Sequence, residues 1–239
     1  MNADERPLSA VPAWLWTLLL AMFVAQLAVT LRLPAPSALA VALPPAPSAA
    51  ALRAASLGET PATARLAMLY LQAFDQGSGN MLSYRQLDFG RLADWLRTIL
   101  AVDPRSHYPL FAAARIYAEA GDAGRTRVML EFVHGAFLED PNRRWPALAH
   151  AALLAKHRLR DLPLALRYAA DLQRLVDDPD MPLWARQMEI FILEDMDELE
   201  AAKVMLGGLL ESGRLQDPAE RRFLQQRLEE LDRRLSSKP

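Results

Sequence analysis

The order of apolar and polar residues divides this chain into three regions. Residues 12–31 form an uncharged, mostly apolar stretch, and residues 34–60 are rich in proline and alanine. From residue 61 onward, apolar residues recur at intervals of three and four, which is the period of amphipathic helices. The pattern predicts a short tail over 1–11, a membrane helix over 12–33, a disordered linker over 34–60 and a helical repeat domain over 61–239.

The apolar stretch has the length of a membrane-spanning helix. Twenty residues at 1.5 Å each give about 30 Å, the thickness of a bilayer hydrocarbon core. A cleaved signal peptide and a buried helix of a soluble protein are the alternatives. A small-residue cleavage site does lie at Ala38-Leu39-Ala40, but the apolar core of a signal peptide would be about 7–15 residues long. We therefore predict an uncleaved anchor. Its membrane-facing side chains are Trp14, Trp16, Leu18, Phe23 and Leu27.

The region 34–60, counted together with the adjoining Pro61, holds 6 of the 17 prolines, and it has few large side chains. Proline removes a backbone donor and disfavours helix in the preceding residue, and small side chains bury little area. We expect disorder here. In extended form the segment would reach roughly 80 Å, either as a spacer or as a joint whose length has no role.

Four Asp-Pro pairs divide the remaining sequence into units of similar length. Their prolines are 37, 38 and 39 residues apart. The pairs are Asp103-Pro104, Asp140-Pro141, Asp178-Pro179 and Asp217-Pro218. Regular spacing of this kind is typical of repeat proteins.

Each unit is predicted to be a helix, a short turn and a second helix. Prolines 109, 146 and 182 suit the first turn of the leading helices, and aspartates 88, 122, 161 and 197 suit N-caps. The predicted helices are Ala62–Phe74, Asp88–Val102, Pro109–Ala120, Ala123–Leu138, Pro146–Arg158, Leu162–Val176, Pro182–Asp195, Glu198–Ser212 and Pro218–Leu235. The fold class is all-α: a transmembrane helix, then an α-solenoid of about four helical hairpins with a C-terminal capping helix.

The repeat domain resembles the tetratricopeptide (TPR) family over about residues 60–235. The best match begins at His107: a large residue, small residues and an aromatic residue follow the spacing of the family's first helix, and a small residue follows in the second helix. These are Leu110, Ala113, Ala114, Tyr117 and Thr126, with Ala165 and Ala201 at the small position of later units. Units of 36–39 residues instead of 34, and Glu189 near a usually small position, depart from the family.

The resemblance implies that the first helix of each hairpin lines a concave groove for a protein or peptide partner. The groove positions carried over are Tyr108, Phe111, Arg115, Glu119, Trp145, Leu148, Lys156, Trp184, Met188 and Phe191. Aromatic and basic side chains suit an apolar peptide with a carboxylate. The alternative is that these aromatics belong to the core between helices. The Lys and Asn pattern of chaperone-binding carboxylate clamps is absent, because Phe111 and Arg115 occupy two of its positions.

Composition and motifs argue against several other functions. The 27 Lys+Arg against 29 Asp+Glu disfavour a nucleic-acid binder, and the absence of cysteine excludes thiolate chemistry. The four histidines lack metal-ligand spacing, and Gly77-Ser78-Gly79-Asn80 lacks the lysine of a P-loop. We therefore expect no catalytic residue, cofactor or metal site, and no enzyme.

Three further segments are interpreted from their local sequence. The acidic run from Glu194 to Glu200 is interpreted as a solvated turn. The segment Asn142-Arg143-Arg144-Trp145 is interpreted as a turn before a helix, with exposed arginines, or alternatively as a binding site for a carboxylate or a lipid phosphate. The loop Asp75–Leu87 is long enough to be a candidate partner contact.

The sequence favours a membrane-anchored protein–protein interaction adaptor. The alternative is a structural or assembly subunit of a membrane complex, held through its transmembrane helix. Only 3 of the 27 basic residues are Lys, a composition typical of GC-rich bacteria, so we expect a single-pass protein of a bacterial inner membrane. Its repeat domain is expected on the periplasmic rather than the cytoplasmic side.

Overall fold

The computed structural model describes residues 12–32, 43–74, 87–213 and 217–237. All regular elements in these residues are helical, which confirms the all-α prediction for the described part of the chain. The described residues fall into two compact units: residues 12–32, and residues 43–74, 87–213 and 217–237.

The described part of the first unit is one helix, α1 (Ala13–Arg32). By length and composition it can cross a membrane, and none of its residues is buried. The Thr17 hydroxyl donates to the Trp14 carbonyl at 2.8 Å, and that of Thr30 donates to Gln26 at 2.8 Å. These bonds satisfy two polar groups that would otherwise be costly in hydrocarbon.

The second unit contains the remaining described helices. They are α2 (Ala49–Ala55), α3 (Thr60–Ala73), α4 (Phe89–Val102), α5 (Tyr108–Phe111), a π-helical turn (Ala112–Tyr117), α6 (Ala118–Ala120), α7 (Ala123–Glu139), α8 (Pro141–His157), α9 (Leu162–Leu175), α10 (Leu183–Arg186), α11 (Met188–Asp195), α12 (Leu199–Glu211) and α13 (Pro218–Ser236). The longer helices pack in chain order: α3 on α4, α4 on α7, α7 on α8, α8 on α9, α9 on α11, α11 on α12, and α12 on α13.

Aspartates begin several of these helices. The carboxylate of Asp88 accepts from the amide of Gly90 at 2.9 Å, Asp122 caps α7, and Asp161 caps α9. These three predicted N-caps are confirmed. The prediction was wrong for Asp197, which has a φ of 63° in the turn before α12, so that Glu198 is the N-cap residue.

Helix α8 begins earlier than predicted. It starts at Pro141, and Pro146 lies inside it. Proline fits the first helical position because its missing N–H has no partner there. Arg144, predicted to be exposed, is only 4% exposed, and its Nη1 donates to the carbonyl of Ala136 at 2.6 Å. This bond ties the added first turn of α8 to the end of α7.

Two other predicted helices are interrupted. The leading helix of the unit that starts near residue 108 contains a π-helical turn between α5 and α6. The leading helix predicted over 182–195 is divided at Gln187 into α10 and α11. Each irregularity changes which side chains share a face, because it shifts the register of the helix that follows.

The C-terminal part of the predicted linker is folded. Residues 49–55 form α2, whose N-cap Ser48 accepts from the amide of Ala51 at 3.1 Å. The remainder, 34–42, lies outside the described residues. The prediction of disorder was therefore wrong for residues 43–60.

Contacts with α4 explain this folding. Leu43 is 3% exposed, and its carbonyl accepts from Arg91 Nη1 at 2.7 Å. The indole of Trp95 donates to the Pro44 carbonyl at 2.8 Å. Proline has no backbone N–H but keeps its carbonyl acceptor. The side chains of Arg91 and Trp95 therefore satisfy two backbone carbonyl groups of this segment.

Alanine and leucine dominate the core, which permits close helix approach. Thr126 and Ala165 are fully buried at the predicted small positions, and the Thr126 hydroxyl donates to the Ala118 carbonyl at 2.8 Å. In the last pair the prediction is wrong by one residue, because Ala201 is exposed and Ala202 is buried.

Candidate functional site

The predicted groove residues do not all lie on the surface. Met188 is 6% exposed and Leu148 is fully buried, so both belong to the core, and the prediction was wrong for them. The break at Gln187 accounts for Met188, since it places Trp184 and Met188 in separate helices. Exposed groove residues are Tyr108, Phe111, Arg115, Glu119 and Trp184, and half-buried ones are Trp145, Lys156 and Phe191.

Four of the aromatics form what we call the aromatic surface: Tyr108, Phe111, Trp145 and Trp184. The rings of the first two are stacked with centroids 6.3 Å apart. The two indoles meet edge to face, also at 6.3 Å. The four side chains come from α5, α8 and α10.

Interactions with neighbouring residues hold these rings in place. Gln72 Nε2 donates to the hydroxyl of Tyr108. Trp145 packs against the core, and its Nε1 donates to Asp178 Oδ2 at 3.2 Å. Trp145 thus contacts the core and is also part of the aromatic surface, whereas Trp184 is more exposed, at 52%.

A cavity of about 310 Å³ lies between α5 with its π-helical turn and the first half of α8. Each wall carries both apolar and basic side chains. Its lining consists of His107, Leu110, Phe111, Ala114, Arg115, Arg143, Arg144, Pro146, Ala147 and His150. We call this cavity the basic pocket. Phe111 belongs to both the basic pocket and the aromatic surface.

The three arginines of the basic pocket differ in their partners. Arg143 pairs with Asp140 at 3.1 Å, and Arg144 pairs with Glu139 at 2.8 Å. Arg115 is exposed and has no hydrogen bond or ion pair with any residue that the structure describes. The pocket therefore carries one uncompensated positive charge from its arginines.

His150 also lines the basic pocket and is half-buried. Burial lowers the pKa of its imidazole below 6.5, and the positive charge of Arg115 lowers this pKa further. Glu119 opposes both effects, with Oε1 at 3.7 Å from Nε2. That distance is beyond a hydrogen bond, and Nε2 is buried without a partner among the described residues.

Lys156 does not contribute a free charge to this surface. Its ammonium group pairs with Asp195 of α11. Glu194, predicted to lie in a solvated turn, is buried and pairs with Arg227 of α13. Both ion pairs join helices that are distant in sequence.

Sequence reasoning missed Pro146, Ala147 and His150 as site residues. They face α5 only because α8 begins at Pro141 and packs against it. A periodic pattern marks a helix face but does not say which neighbour that face meets. The candidate loop Asp75–Leu87 lies outside the described residues except for Leu87.

In the described ranges, no group of three or more His, Cys, Asp or Glu side chains could hold a metal ion. The expectation of a non-enzymatic, cofactor-free protein stays a prediction. Comparison of the chain with protein-family models, curated proteins and solved structures found no match.

Proposed function

We propose that this protein is a non-enzymatic, membrane-anchored adaptor that binds a protein or peptide partner through the aromatic surface. In this proposal the helical unit is a TPR-like array, the aromatic surface lies in its groove, and α1 anchors it in a bacterial inner membrane. The observation that carries the proposal is two pairs of contacting rings, Tyr108 with Phe111 and Trp145 with Trp184, of which three rings are exposed.

Partner binding accounts for the exposed aromatic rings, which folding does not require. Aromatic side chains supply large contact areas and are enriched among the residues that dominate binding energy. Tyr108, Phe111 and Trp184 leave much of their apolar area in solvent. A partner that covers them would gain this area without reorganising the rings, because Gln72 and Trp145 already hold two of them.

A membrane anchor would strengthen such binding. One tethered end raises the effective concentration of the domain near other membrane proteins, so that a weak contact becomes sufficient. Fusion of a topology reporter to the C-terminus tests the proposed orientation, in which the helical domain lies in the periplasm. Reporter activity confined to the cytoplasm would contradict that orientation.

Crosslinking in intact membranes followed by affinity recovery of the full chain tests the adaptor function. We expect Phe111→Ala and Trp184→Ala each to reduce recovery of a specific partner about tenfold, the loss typical of a binding hot spot. Phe223→Ala is the matched control, since Phe223 is 53% exposed on α13, outside the aromatic surface. Partner recovery that is equal in all three variants would refute the proposal.

The alternative is a subunit of a membrane complex held through α1. It is favoured by Gln26, a polar side chain on a helix of membrane-spanning length, since amides can hydrogen-bond across helices in hydrocarbon. Replacing residues 12–31 with an unrelated anchor discriminates the two functions. The adaptor should retain its partner after this exchange, whereas the subunit should lose its complex.

A further inference from the structure

The basic pocket contains polar groups that the fold leaves without partners. The guanidinium group of Arg115 has no hydrogen bond or ion pair among the described residues. Nε of Arg144 and Nε2 of His150 are buried and also lack partners within the described ranges. Buried polar nitrogen atoms without partners are rare in folded proteins because each one costs free energy.

The rest of the pocket is apolar. Leu110 and Phe111 come from α5, and Pro146 and Ala147 come from α8. A volume of about 310 Å³ lies at the lower end of the range for small-molecule sites. A ligand must therefore be small, and part of it must be apolar.

The charge balance of the pocket indicates the sign and size of the ligand's charge. Asp140 and Glu139 already neutralise Arg143 and Arg144, which leaves the single charge of Arg115. Glu119 stands 3.7 Å from His150, and its negative charge opposes any anion there, a dianion twice as strongly as a monoanion. One planar monoanion matches this arrangement, since a guanidinium binds a carboxylate through two parallel hydrogen bonds.

We propose that the basic pocket binds a monocarboxylate joined to a small apolar group. The carboxylate contacts Arg115 and accepts from Nε2 of His150 in its N–H form, and the apolar group lies against Phe111 and Pro146. Two sources present this chemistry: a free medium-chain fatty acid and the C-terminal residue of a polypeptide. The proposal does not depend on the adaptor function, because a small ligand can occupy the basic pocket while no protein partner is bound to Trp145 and Trp184.

The test is calorimetric titration of the full chain in lipid nanodiscs, with empty nanodiscs as the blank. The probes are octanoate, its uncharged analogue octanamide, an acetylated dileucine with a free carboxylate and the same peptide as an amide. We expect at least one of the two acids to bind, and its uncharged counterpart to bind at least tenfold more weakly. Binding of octanoate alone identifies a fatty-acid site, and binding of the peptide acid alone identifies a polypeptide C-terminus.

Three variants locate the binding. Arg115→Gln should weaken the acid about tenfold, and Ala147→Met should weaken it by filling the apolar half of the pocket. Arg222→Gln is the matched control, because Arg222 is an exposed arginine on α13 that does not line the pocket. Circular dichroism establishes that each variant remains helical.

The outcomes separate this proposal from the adaptor function. Failure of both acids to bind, equal binding of acid and amide, or equal loss in Arg115→Gln and Arg222→Gln would overturn the pocket assignment. If Trp184→Ala retains both acid binding and partner recovery, the result contradicts the adaptor function and leaves the pocket assignment in place.

Discussion

At the scale of single residues, His150 reports the electrostatics of the basic pocket. Burial and Arg115 hold the pKa of its imidazole below the ordinary value. The neutral ring is therefore favoured in the folded state, so its contribution to stability is present above pH 6.5. That contribution is lost as pH falls through the lower folded-state pKa. A fall in pH should therefore lower the free energy of unfolding through protonation of this residue.

Removal of the neighbouring charge gives a direct prediction. Arg115→Gln should raise the pKa of His150, because a like charge no longer disfavours protonation. The pKa should still remain below 6.5, since burial is the larger cause. A pH titration of the His150 ring by NMR measures this. An unchanged or lower pKa in the variant would show that Arg115 does not act on this ring.

At the scale of elements, the last helix depends on a buried ion pair. Arg227 of α13 donates through Nε to Glu194 Oε1 at 3.1 Å, and Arg234 lies 3.8 Å from the same carboxylate. Loss of one partner from a buried pair leaves the other charge uncompensated. The helix α13 is thus held by charge as well as by Leu224 and Leu231, which are buried in its contact with α12.

We expect Arg227→Met to destabilise the domain by roughly 2 kcal/mol, less than a fully buried pair would lose, because Arg234 supplies part of the charge. Urea unfolding followed by circular dichroism measures the change. Arg222→Met is the control, an exposed arginine on the same helix. Equal stability of the two variants would mean that the ion pair contributes nothing.

The docking of residues 43–55 onto α4 also depends on few bonds. Trp95→Phe keeps an aromatic ring but removes the donor to Pro44, at an expected cost of about 1 kcal/mol. Hydrogen exchange of the amides of α2 should become faster while that of α9 stays the same. Unchanged exchange in α2 would show that the indole bond does not hold this segment.

At the scale of the whole molecule, the proposed attachment to a membrane rests on α1. An arginine at the centre of a membrane helix costs about 3 kcal/mol in insertion experiments. Leu20→Arg together with Phe23→Arg should therefore move much of the chain from the carbonate-resistant membrane fraction into the soluble fraction. The control is Phe223→Arg in α13, which should leave the chain in the membrane. Equal retention of all variants would contradict a spanning role for α1.

The sequence by itself determined the features that arise from short-range physics. A mostly apolar stretch of 20 residues forms a helix that is long and apolar enough to cross a bilayer. An aspartate cap needs only an amide three residues away, as with Asp161 and Leu164. The periodic positions of alanine and leucine likewise gave the helices and most of their core.

Tertiary structure alone decided the features that join distant residues. Residues 43–60 fold because side chains some 50 positions later reach their carbonyls, and Glu194 is buried because Arg227 approaches it. The basic pocket exists only where α5 meets α8. A helical pattern shows which residues share a face, but the partner of that face is set by packing between helices.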